Sequence, residues 1–279
     1  MSSEQELDPQ HRTREAEREW HEQFYSAHAA TAFPPSAEDF RQLFIKQHLT
    51  AFCDGGWSWW ADARQEMLDS LGDVRGRRVL DYGCGFGMFG IYLGLCGAEV
   101  WGFDLSQSAI ETANRTAVRY GLPARFAQMD AAELTYPDGF FDLAVGFGVL
   151  HHVVKYPGTG RGLYRVLKPD AVGVFHETLW DNPFINVARR FTTVDSDAGD
   201  ALLTDLAIRS FAVDFREIKL EKRHLLYMLK RLAALPPHNL AAPPKPRLLW
   251  RAVKTLDRQL LRLRPLHRYC GEVIVFLQK

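Results

Sequence analysis

The chain has 279 residues, of which 47% are hydrophobic and 24% are charged, and its 34 Lys and Arg residues balance its 34 Asp and Glu residues. This composition predicts a globular protein with a substantial core, and the balanced charge gives no reason to expect a polyanionic partner for the chain as a whole. The cysteines lack CxxC spacing, and we find neither a signal peptide nor an apolar run of 18 residues, so we expect a cytoplasmic protein without disulfides, structural zinc or membrane spans.

The first 70 residues are expected to form an N-terminal helical cap. Residues 11–28 are predicted as a charged helix, apolar residues at helical spacing predict a second helix over residues 36–52, and a third is predicted over residues 57–72. Ser36 is a typical N-cap for the second of these helices, because its hydroxyl can accept a hydrogen bond from a backbone N–H of the first turn.

Aromatic side chains of this cap are candidate substrate contacts. The cluster WSWW comes shortly before the first predicted strand, and the first helix carries a tyrosine at position 25. Such clusters more often pack a helix against a sheet, so a purely structural role stays open. The candidates are Tyr25, Trp57 and Trp60.

From residue 77 onward, predicted strands and helices alternate along the chain. Alternation of this kind is typical of an α/β fold with a parallel sheet and right-handed crossovers. The first five predicted strands lie in RRVLDYG, AEVWGFDLS, ARFAQMD, FDLAVGFGVL and AVGVFHET, and the segment GLYRVLK before the last of them is predicted as a helix.

Two more strands are predicted nearer the C-terminus. Residues 215–222 are a candidate sixth strand, and residues 271–279 are expected to form a final, antiparallel edge strand. A helical insert broken by prolines separates them. We therefore expect a core over residues 71–222, and an insert with the last strand over residues 223–279.

The stretch VLDYGCGFGMFG, residues 79–90, places an acid and three closely spaced glycines between a strand and a helix. In an open α/β sheet, ligands bind beyond the carboxyl ends of the strands, where bare backbone lets a cofactor approach closely. Asp104 ends the next predicted strand, where an acid can accept hydrogen bonds from ribose hydroxyls. These features fit a nicotinamide dinucleotide or S-adenosylmethionine.

The acids favour the second cofactor. The glycines follow the spacing G-x-G-x-G rather than G-x-G-x-x-G, and Asp81 stands just before them. A carboxylate there repels a pyrophosphate but suits the cationic amino end of a methionine moiety. Asp130 ends the third predicted strand, where it can reach an adenine amine. Three acids at three consecutive strand ends are more typical of a site for a cationic cofactor.

Five segments, VLDYGCGFG, VWGFDLS, MDAAEL, FDLAVGFGVLHHV and RVLKPDAVGVFHE, occur in order over about residues 75–180. In this order and spacing the chain resembles the class I S-adenosylmethionine-dependent methyltransferases of small-molecule type. The resemblance implies a seven-stranded, mostly parallel Rossmann-like sheet with a helical cap. It also implies S-adenosylmethionine as cofactor, S-adenosylhomocysteine as product and no metal. The turn Lys168-Pro169-Asp170 stands where Lys-Pro-Gly is usual.

The resemblance further implies which residues bind the cofactor. Asp81 and the glycine loop would hold the methionine end, Asp104 the ribose, Asp130 the adenine, and Phe147 would lie near the sulfonium. The full predicted set is Asp81, Gly83, Cys84, Gly85, Gly87, Asp104, Leu105, Asp130, Ala131 and Phe147.

Methyl transfer requires an aligned acceptor and, for a hydroxyl, a base that takes its proton. His151 and His152 follow the fourth predicted strand and are the candidate bases, because histidine titrates near neutrality. Glu177 ends the fifth strand and is a further catalytic candidate, as a base or a ligand for a substrate hydroxyl. For all three, a purely structural role stays open. The Asn/Asp-Pro-Pro-aromatic tetrapeptide of families that methylate DNA amides is missing, which disfavours a nucleic-acid substrate.

The C-terminal segment is strongly basic. From residue 219 to the end, fourteen Lys and Arg residues stand against three acids, and residues 247–265 predict an amphipathic helix with a basic face. Three interpretations stay open: a cap helix with a solvated face, a peripheral contact with an anionic membrane, or an anion site on the substrate. The last would use these arginines together with Arg189 and Arg190.

The predicted function is transfer of a methyl group to an oxygen or carbon atom of a small-molecule acceptor, with anionic or lipid-like metabolites included. Three alternatives remain at this point. They are an RNA- or protein-directed methyltransferase, a nicotinamide-dependent oxidoreductase, and a non-catalytic partner protein that only binds the cofactor.

Overall fold

The computed structural model describes residues 9–28, 33–34, 36–47, 61–179, 203–226 and 247–279. The strands are β1 (Arg78–Tyr82), β2 (Glu99–Asp104), β3 (Arg125–Gln128), β4 (Phe141–Phe147), β5 (Leu167–Thr178), β6 (Glu217–Arg223) and β7 (Glu272–Gln278). The helices are α1 (Pro9–His28), α2 (Ala37–Gln47), α3 (Ala61–Ser70), α4 (Met88–Leu95), α5 (Gln107–Arg119), α6 (Leu150–Val153), α7 (Thr159–Val166), α8 (Asp205–Phe211) and α9 (Arg247–Leu260). A short 3-10 helix (Arg264–Tyr269) separates α9 from β7.

The strands form one seven-stranded sheet in the order β3-β2-β1-β4-β5-β7-β6. β1 to β5 pair in parallel, and β7 runs antiparallel to both of its neighbours. The predicted α/β fold with a mostly parallel, seven-stranded sheet is therefore confirmed.

The prediction that the last strand lies at the sheet edge is wrong, because β7 lies between β5 and β6. Its side chains explain this position: Val273, Ile274 and Val275 are all buried, so both faces of β7 are covered. An apolar strand of this kind belongs in the interior of a sheet. β6 takes the edge instead, and its charged Glu217 and Lys219 are exposed, as suits an edge strand.

Both faces of the sheet are covered by helices. Successive residues of a strand point to opposite faces. Val79 of β1 accordingly joins a core with α2 to α5, whereas Leu80 and Tyr82 join a second core with α6, α7 and α8. Burial on both faces explains why the parallel strands are short apolar runs.

Two helix ends follow from single residues. The Ser36 hydroxyl accepts a hydrogen bond from the Asp39 backbone N–H at 3.1 Å, so Ser36 caps α2 as predicted. The helix predicted through Lys168 instead ends at Val166, and the next two residues begin β5. Pro169 accounts for this difference, because the residue before a proline disfavours helical backbone angles.

Candidate active site

The predicted site residues lie at the carboxyl edge of the parallel strands. Asp81 lies in β1, Asp104 ends β2, and Asp130 follows β3 after a single residue. Phe147 ends β4, and Glu177 is the next-to-last residue of β5. Since parallel strands end at one edge, the fold brings together residues that are up to 96 positions apart.

The glycine loop between β1 and α4 needs glycine for its conformation and its packing. Gly83, Gly85 and Gly87 have φ values of 64°, 51° and 75°. A Cβ on Gly83 would lie 2.3 Å from a methyl carbon of Val149, and a Cβ on Gly87 would lie 2.9 Å from the Ala113 Cβ. Neighbouring side chains therefore pack directly against the backbone of this loop and leave no room for a side chain at Gly83 or Gly87.

Asp81 is buried and holds the first turn of α4. Its Oδ2 accepts a hydrogen bond from the Gly90 N–H at 2.8 Å, one of the four amides that a helix start leaves unpaired. Burial, with a smaller contribution from the nearby Asp104, raises the pKa of Asp81 to about 7 against the lowering effect of the Gly90 hydrogen bond. The position of this carboxyl is thus set by the helix start, and its contact with a methionine amine stays a prediction.

The raised pKa of Asp81 predicts how the stability of the ligand-free protein changes with pH. Between the unfolded and folded pKa values the folded state binds the extra proton, so stability falls as pH rises. Asp81→Asn keeps an acceptor for Gly90 but cannot ionise. Between about pH 5 and about pH 8, wild-type protein should lose about 3 kcal/mol more than Asp81→Asn, measured by urea unfolding. Equal losses in both proteins would show that Asp81 ionises normally.

Asp104 connects the end of β2 to the glycine loop. Its Oδ2 accepts a hydrogen bond from the Gly85 N–H at 2.8 Å, and its Oδ1 accepts one from the Ser106 N–H at 3.1 Å. Each carboxylate oxygen can accept a second hydrogen bond, so the group has capacity left for ligand hydroxyls. The next residue, Leu105, accepts a hydrogen bond from Gln128 through its carbonyl.

The adenine end of the predicted site lies after β3. The Asp130 Oδ1 accepts a hydrogen bond from the Ala132 N–H at 2.8 Å, and its Oδ2 lies 3.9 Å from an Arg14 nitrogen. Ala131 is buried.

In the glycine loop, burial raises the pKa of the Cys84 thiol, so this side chain is an uncharged part of the loop.

His151 and Glu177 form a hydrogen-bonded pair. The Glu177 carboxylate is fully buried, and its Oε2 lies 2.9 Å from the His151 Nδ1. Its Oε1 accepts hydrogen bonds from the Val149 N–H at 2.8 Å and the Leu150 N–H at 2.7 Å, at the start of α6. Both oxygens are thus occupied by protein donors. Glu177 is arranged to orient His151, rather than to meet a substrate as a base.

His152 lies next to this pair. Its ring centroid is 4.1 Å from that of His151 and 4.8 Å from that of His21 in α1. The site therefore contains three neighbouring imidazoles, of which the sequence indicated only two.

α1 extends across the strand ends, and it supplies residues that sequence analysis missed. Glu22 accepts hydrogen bonds from the Ser106 hydroxyl at 2.7 Å and from the Ser108 N–H at 3.3 Å, close to Asp104. The Tyr25 hydroxyl lies 2.6 Å from the position a Gly85 Cβ would take, so this predicted substrate contact lies on the glycine loop. The signal was available, because positions 14, 21, 22 and 25 share one face of a helix.

Phe147 is held in an aromatic stack. Its ring lies between Phe89, at 5.6 Å between centroids, and His176, at 4.7 Å. The Glu272 carboxylate binds two imidazoles, His176 Nε2 at 3.1 Å and His224 Nδ1 at 2.8 Å, and all three side chains are buried. These two partners hold the pKa of Glu272 well below its usual range despite burial, which acts to raise it. This buried hydrogen-bonded cluster lies against the ring of Phe147, whose contact with the sulfonium stays a prediction from the family resemblance.

Four predicted substrate residues, Trp57, Trp60, Arg189 and Arg190, lie outside the described residues. Within the described ranges, no group of three or more His, Cys, Asp or Glu side chains could hold a metal ion. The helices described there are each too short or too polar to cross a bilayer.

Residues 79–170 match the family model described as "Methyltransferase domain". Among curated relatives, the ubiquinone biosynthesis O-methyltransferase of Alkalilimnicola ehrlichii is 29% identical over 53% of this chain and 65% of the relative. The sterol 24-C-methyltransferase erg6 of Aspergillus fumigatus is 27% identical over 68% of this chain and 52% of the relative. The matches span between half and two thirds of these relatives.

Solved structures show the same fold. Phosphoethanolamine N-methyltransferase 2 of Haemonchus contortus, in complex with S-adenosyl-L-methionine, superposes with a TM-score of 0.56 at 18% identity, over 86% of this chain and 60% of that protein. The [4+2]-cyclase SpnF superposes with a TM-score of 0.54 at 20% identity, over 89% of this chain and 97% of that protein. At this identity the likeness concerns the fold alone.

The sheet order, the glycine loop and the family match together define a class I, Rossmann-like methyltransferase domain. This chain carries such a domain of the S-adenosylmethionine-dependent type, and the resemblance inferred from its five motifs is confirmed. The alternative of a nicotinamide-dependent oxidoreductase is set aside.

Proposed function

We propose that this protein transfers the methyl group of S-adenosylmethionine to a hydroxyl oxygen of a small-molecule acceptor, with His151 as the general base. The observation that carries this proposal is the pairing of His151 with the buried Glu177, at 2.9 Å, beside the strand ends. A base is needed when the acceptor atom carries a proton that must leave as the new bond forms. The relatives named as O-methyltransferases support the same reaction.

The residues present fit the cofactor. The glycine loop carries no side chains of its own at Gly83, Gly85 and Gly87, and Asp104 has acceptor capacity beyond its two backbone donors. Three carboxyl groups around the site suit a cation. When bound, S-adenosylmethionine supplies a methyl group on a positively charged sulfur. Asp104 would hold the ribose hydroxyls, Asp130 the adenine amine, and the loop backbone the methionine end.

His151 acts through a defined proton path. A carboxylate that binds Nδ1–H leaves Nε2 as the basic nitrogen of the ring. Nε2 would take the proton of an acceptor hydroxyl as that oxygen forms its bond to the methyl group that the cofactor supplies when bound, with S-adenosylhomocysteine as the leaving group. The negative Glu177 stabilises the imidazolium that results. Glu177 is therefore a positioning residue, and His151 is the catalytic residue.

Carbon methylation is the second candidate, because one relative is named a sterol 24-C-methyltransferase. The predicted contacts of Trp57, Trp60, Arg189 and Arg190 with an anionic or lipid-like acceptor remain part of this proposal. An RNA- or protein-directed methyltransferase stays the alternative, and the sequence at the end of β4 disfavours a nucleic-acid amide because it lacks the Asn/Asp-Pro-Pro-aromatic tetrapeptide.

The test is transfer of label from methyl-labelled S-adenosylmethionine to a panel of hydroxyl-bearing acceptors, with the methylated atom identified by NMR. O-methyl products support the proposal. Products methylated only on carbon would favour the second candidate. Cofactor binding without turnover on any acceptor would instead indicate a non-catalytic partner protein.

A further inference from the structure

We propose that an arginine- and leucine-bearing surface at the C-terminal end of α9 docks on an anionic phospholipid bilayer. We call this the α9 surface, and its residues are Leu256, Arg258, Arg262, Leu263 and Arg264. All five side chains are exposed. The proposal concerns where the protein binds, so it holds whichever acceptor is methylated.

The α9 surface carries an excess of positive charge, although one of its arginines, Arg258, is paired with Glu66 of α3. Residues 247–268 contain seven Lys and Arg residues and a single acid, Asp257. Asp257 is buried, so it contributes no negative charge to the exposed face. Arg262 and Arg264 form no ion pair within the described part of the chain. Clusters of Lys and Arg on an amphipathic segment are attracted to anionic lipid headgroups.

The apolar residues near the C-terminal end of α9 differ in how far they are exposed. Val253, Asp257 and Leu260 point inward, at the spacing expected for one side of a helix. Leu256 in the last turn of α9 and Leu263, three residues after its end, are instead 51% and 56% exposed. Exposed leucines close to exposed arginines at a helix end are typical of a segment that rests in a bilayer interface.

The α9 surface is fixed at the same edge of the sheet as the candidate active site. Asp257 accepts hydrogen bonds from the Leu225 N–H at 3.1 Å and the Leu226 N–H at 2.5 Å, just after β6. Arg258 lies 3.1 Å from Glu66 of α3. The last residues of β5 and β6, Thr178 and Arg223, both pair with Glu272 of β7. Thr178 directly follows Glu177, so the end of β6 lies at the same sheet edge as Glu177. A bilayer at α9 would therefore face the edge where the acceptor enters.

Other occupants fit the α9 surface less well. A nucleic acid would neutralise the arginines but would leave Leu256 and Leu263 against a charged backbone. A second copy of the chain would bring like charges together across a two-fold axis. A bilayer satisfies both features, because headgroups pair with arginines while leucines enter the acyl boundary.

The test is co-sedimentation of the full chain with vesicles of phosphatidylcholine alone and of an equimolar mixture with phosphatidylglycerol. Wild-type protein should bind the anionic vesicles only. Arg262→Gln with Arg264→Gln should weaken binding about 30-fold, and Leu256→Ser with Leu263→Ser about ten-fold. Arg262→Lys with Arg264→Lys should retain binding to the anionic vesicles, because both positions keep their positive charge.

Matched control variants lie elsewhere on the surface. Arg161→Gln with Arg216→Gln removes two exposed arginines, and Leu206→Ser with Val213→Ser removes two apolar side chains that are each 75% exposed. Both controls should bind like wild type. The proposal is wrong if wild-type protein ignores anionic vesicles, or if the controls lose binding as strongly as the α9 variants. It is also wrong if Leu256→Ser with Leu263→Ser leaves vesicle binding unchanged while duplex RNA releases the protein from the vesicles. That result would identify a nucleic-acid surface.

Discussion

Asp104→Ala is expected to weaken binding of S-adenosylmethionine by at least about 100-fold, because hydrogen bonds to a charged group contribute about 1.5–3 kcal/mol each. The Asp104 carboxylate has two roles in the site. It holds the loop through the Gly85 N–H and the Ser106 N–H, and it keeps acceptor capacity for the ribose hydroxyls. Its removal therefore loosens the loop and deletes the ligand contact together.

Calorimetric titration measures this effect, with S-adenosylmethionine, S-adenosylhomocysteine and NAD as ligands. Asp104→Asn separates the two roles, because its single carbonyl oxygen can still accept the Gly85 hydrogen bond; we expect it to bind between wild type and Asp104→Ala. Glu99→Ala is the matched control, since it removes a more exposed acid from the opposite end of β2. Retained cofactor binding by Asp104→Ala, or preference of wild type for NAD, would contradict the assignment.

Much of the cofactor end could be predicted from the sequence, because its residues are local in the chain. The loop from Gly83 to Gly87 directly follows β1, and its conformation depends on glycine itself. Asp104 and Asp130 are each placed by a strand end. A strand that ends in an acid carries this information in its own few residues, and the order of strands in a parallel sheet brings the acids together.

The role of Glu177 could not be predicted in this way. Its contacts depend on the pairing of β4 with β5, which brings Glu177 beside residues 149–151. An acid at a strand end looks the same in sequence whether its oxygens are free or occupied by backbone donors. The difference between base and positioning residue therefore appears only in three dimensions.

The position of the last strand shows a related limit. β7 and β6 are both short segments with strand propensity, and their order in the sheet depends on which is covered on two faces. The apolar run from Val273 to Leu277 carries that information, because a continuous apolar run is typical of a strand covered on both faces. The same holds for α1, whose polar face is directed at the site. A charged helix is typical of a solvated surface unless its partners are known.

His151→Ala is expected to lower kcat/KM for a hydroxyl acceptor by about 100-fold to 10,000-fold, the range usual for loss of a general base. Affinity for the cofactor should not change, because His151 is not among the predicted cofactor contacts. The neighbouring His152→Ala is the matched control, because its ring lies 4.1 Å from that of His151, the imidazole that binds Glu177 Oε2. A larger loss in His152→Ala than in His151→Ala would reverse the assignment.

Glu177→Gln distinguishes a positioning role from a structural one. The amide can still accept hydrogen bonds from the Val149 N–H and the Leu150 N–H, so α6 should stay in place. The negative charge beside His151 is lost, and a carboxylate partner favours the protonated form of an imidazole. We therefore expect kcat to fall about 10-fold to 100-fold, and the acid limb of the pH–rate profile to move to lower pH. A change in melting temperature without a change in that profile would mean that Glu177 only supports the start of α6. A shifted limb at unchanged stability would mean that the buried carboxylate sets the proton affinity of the base.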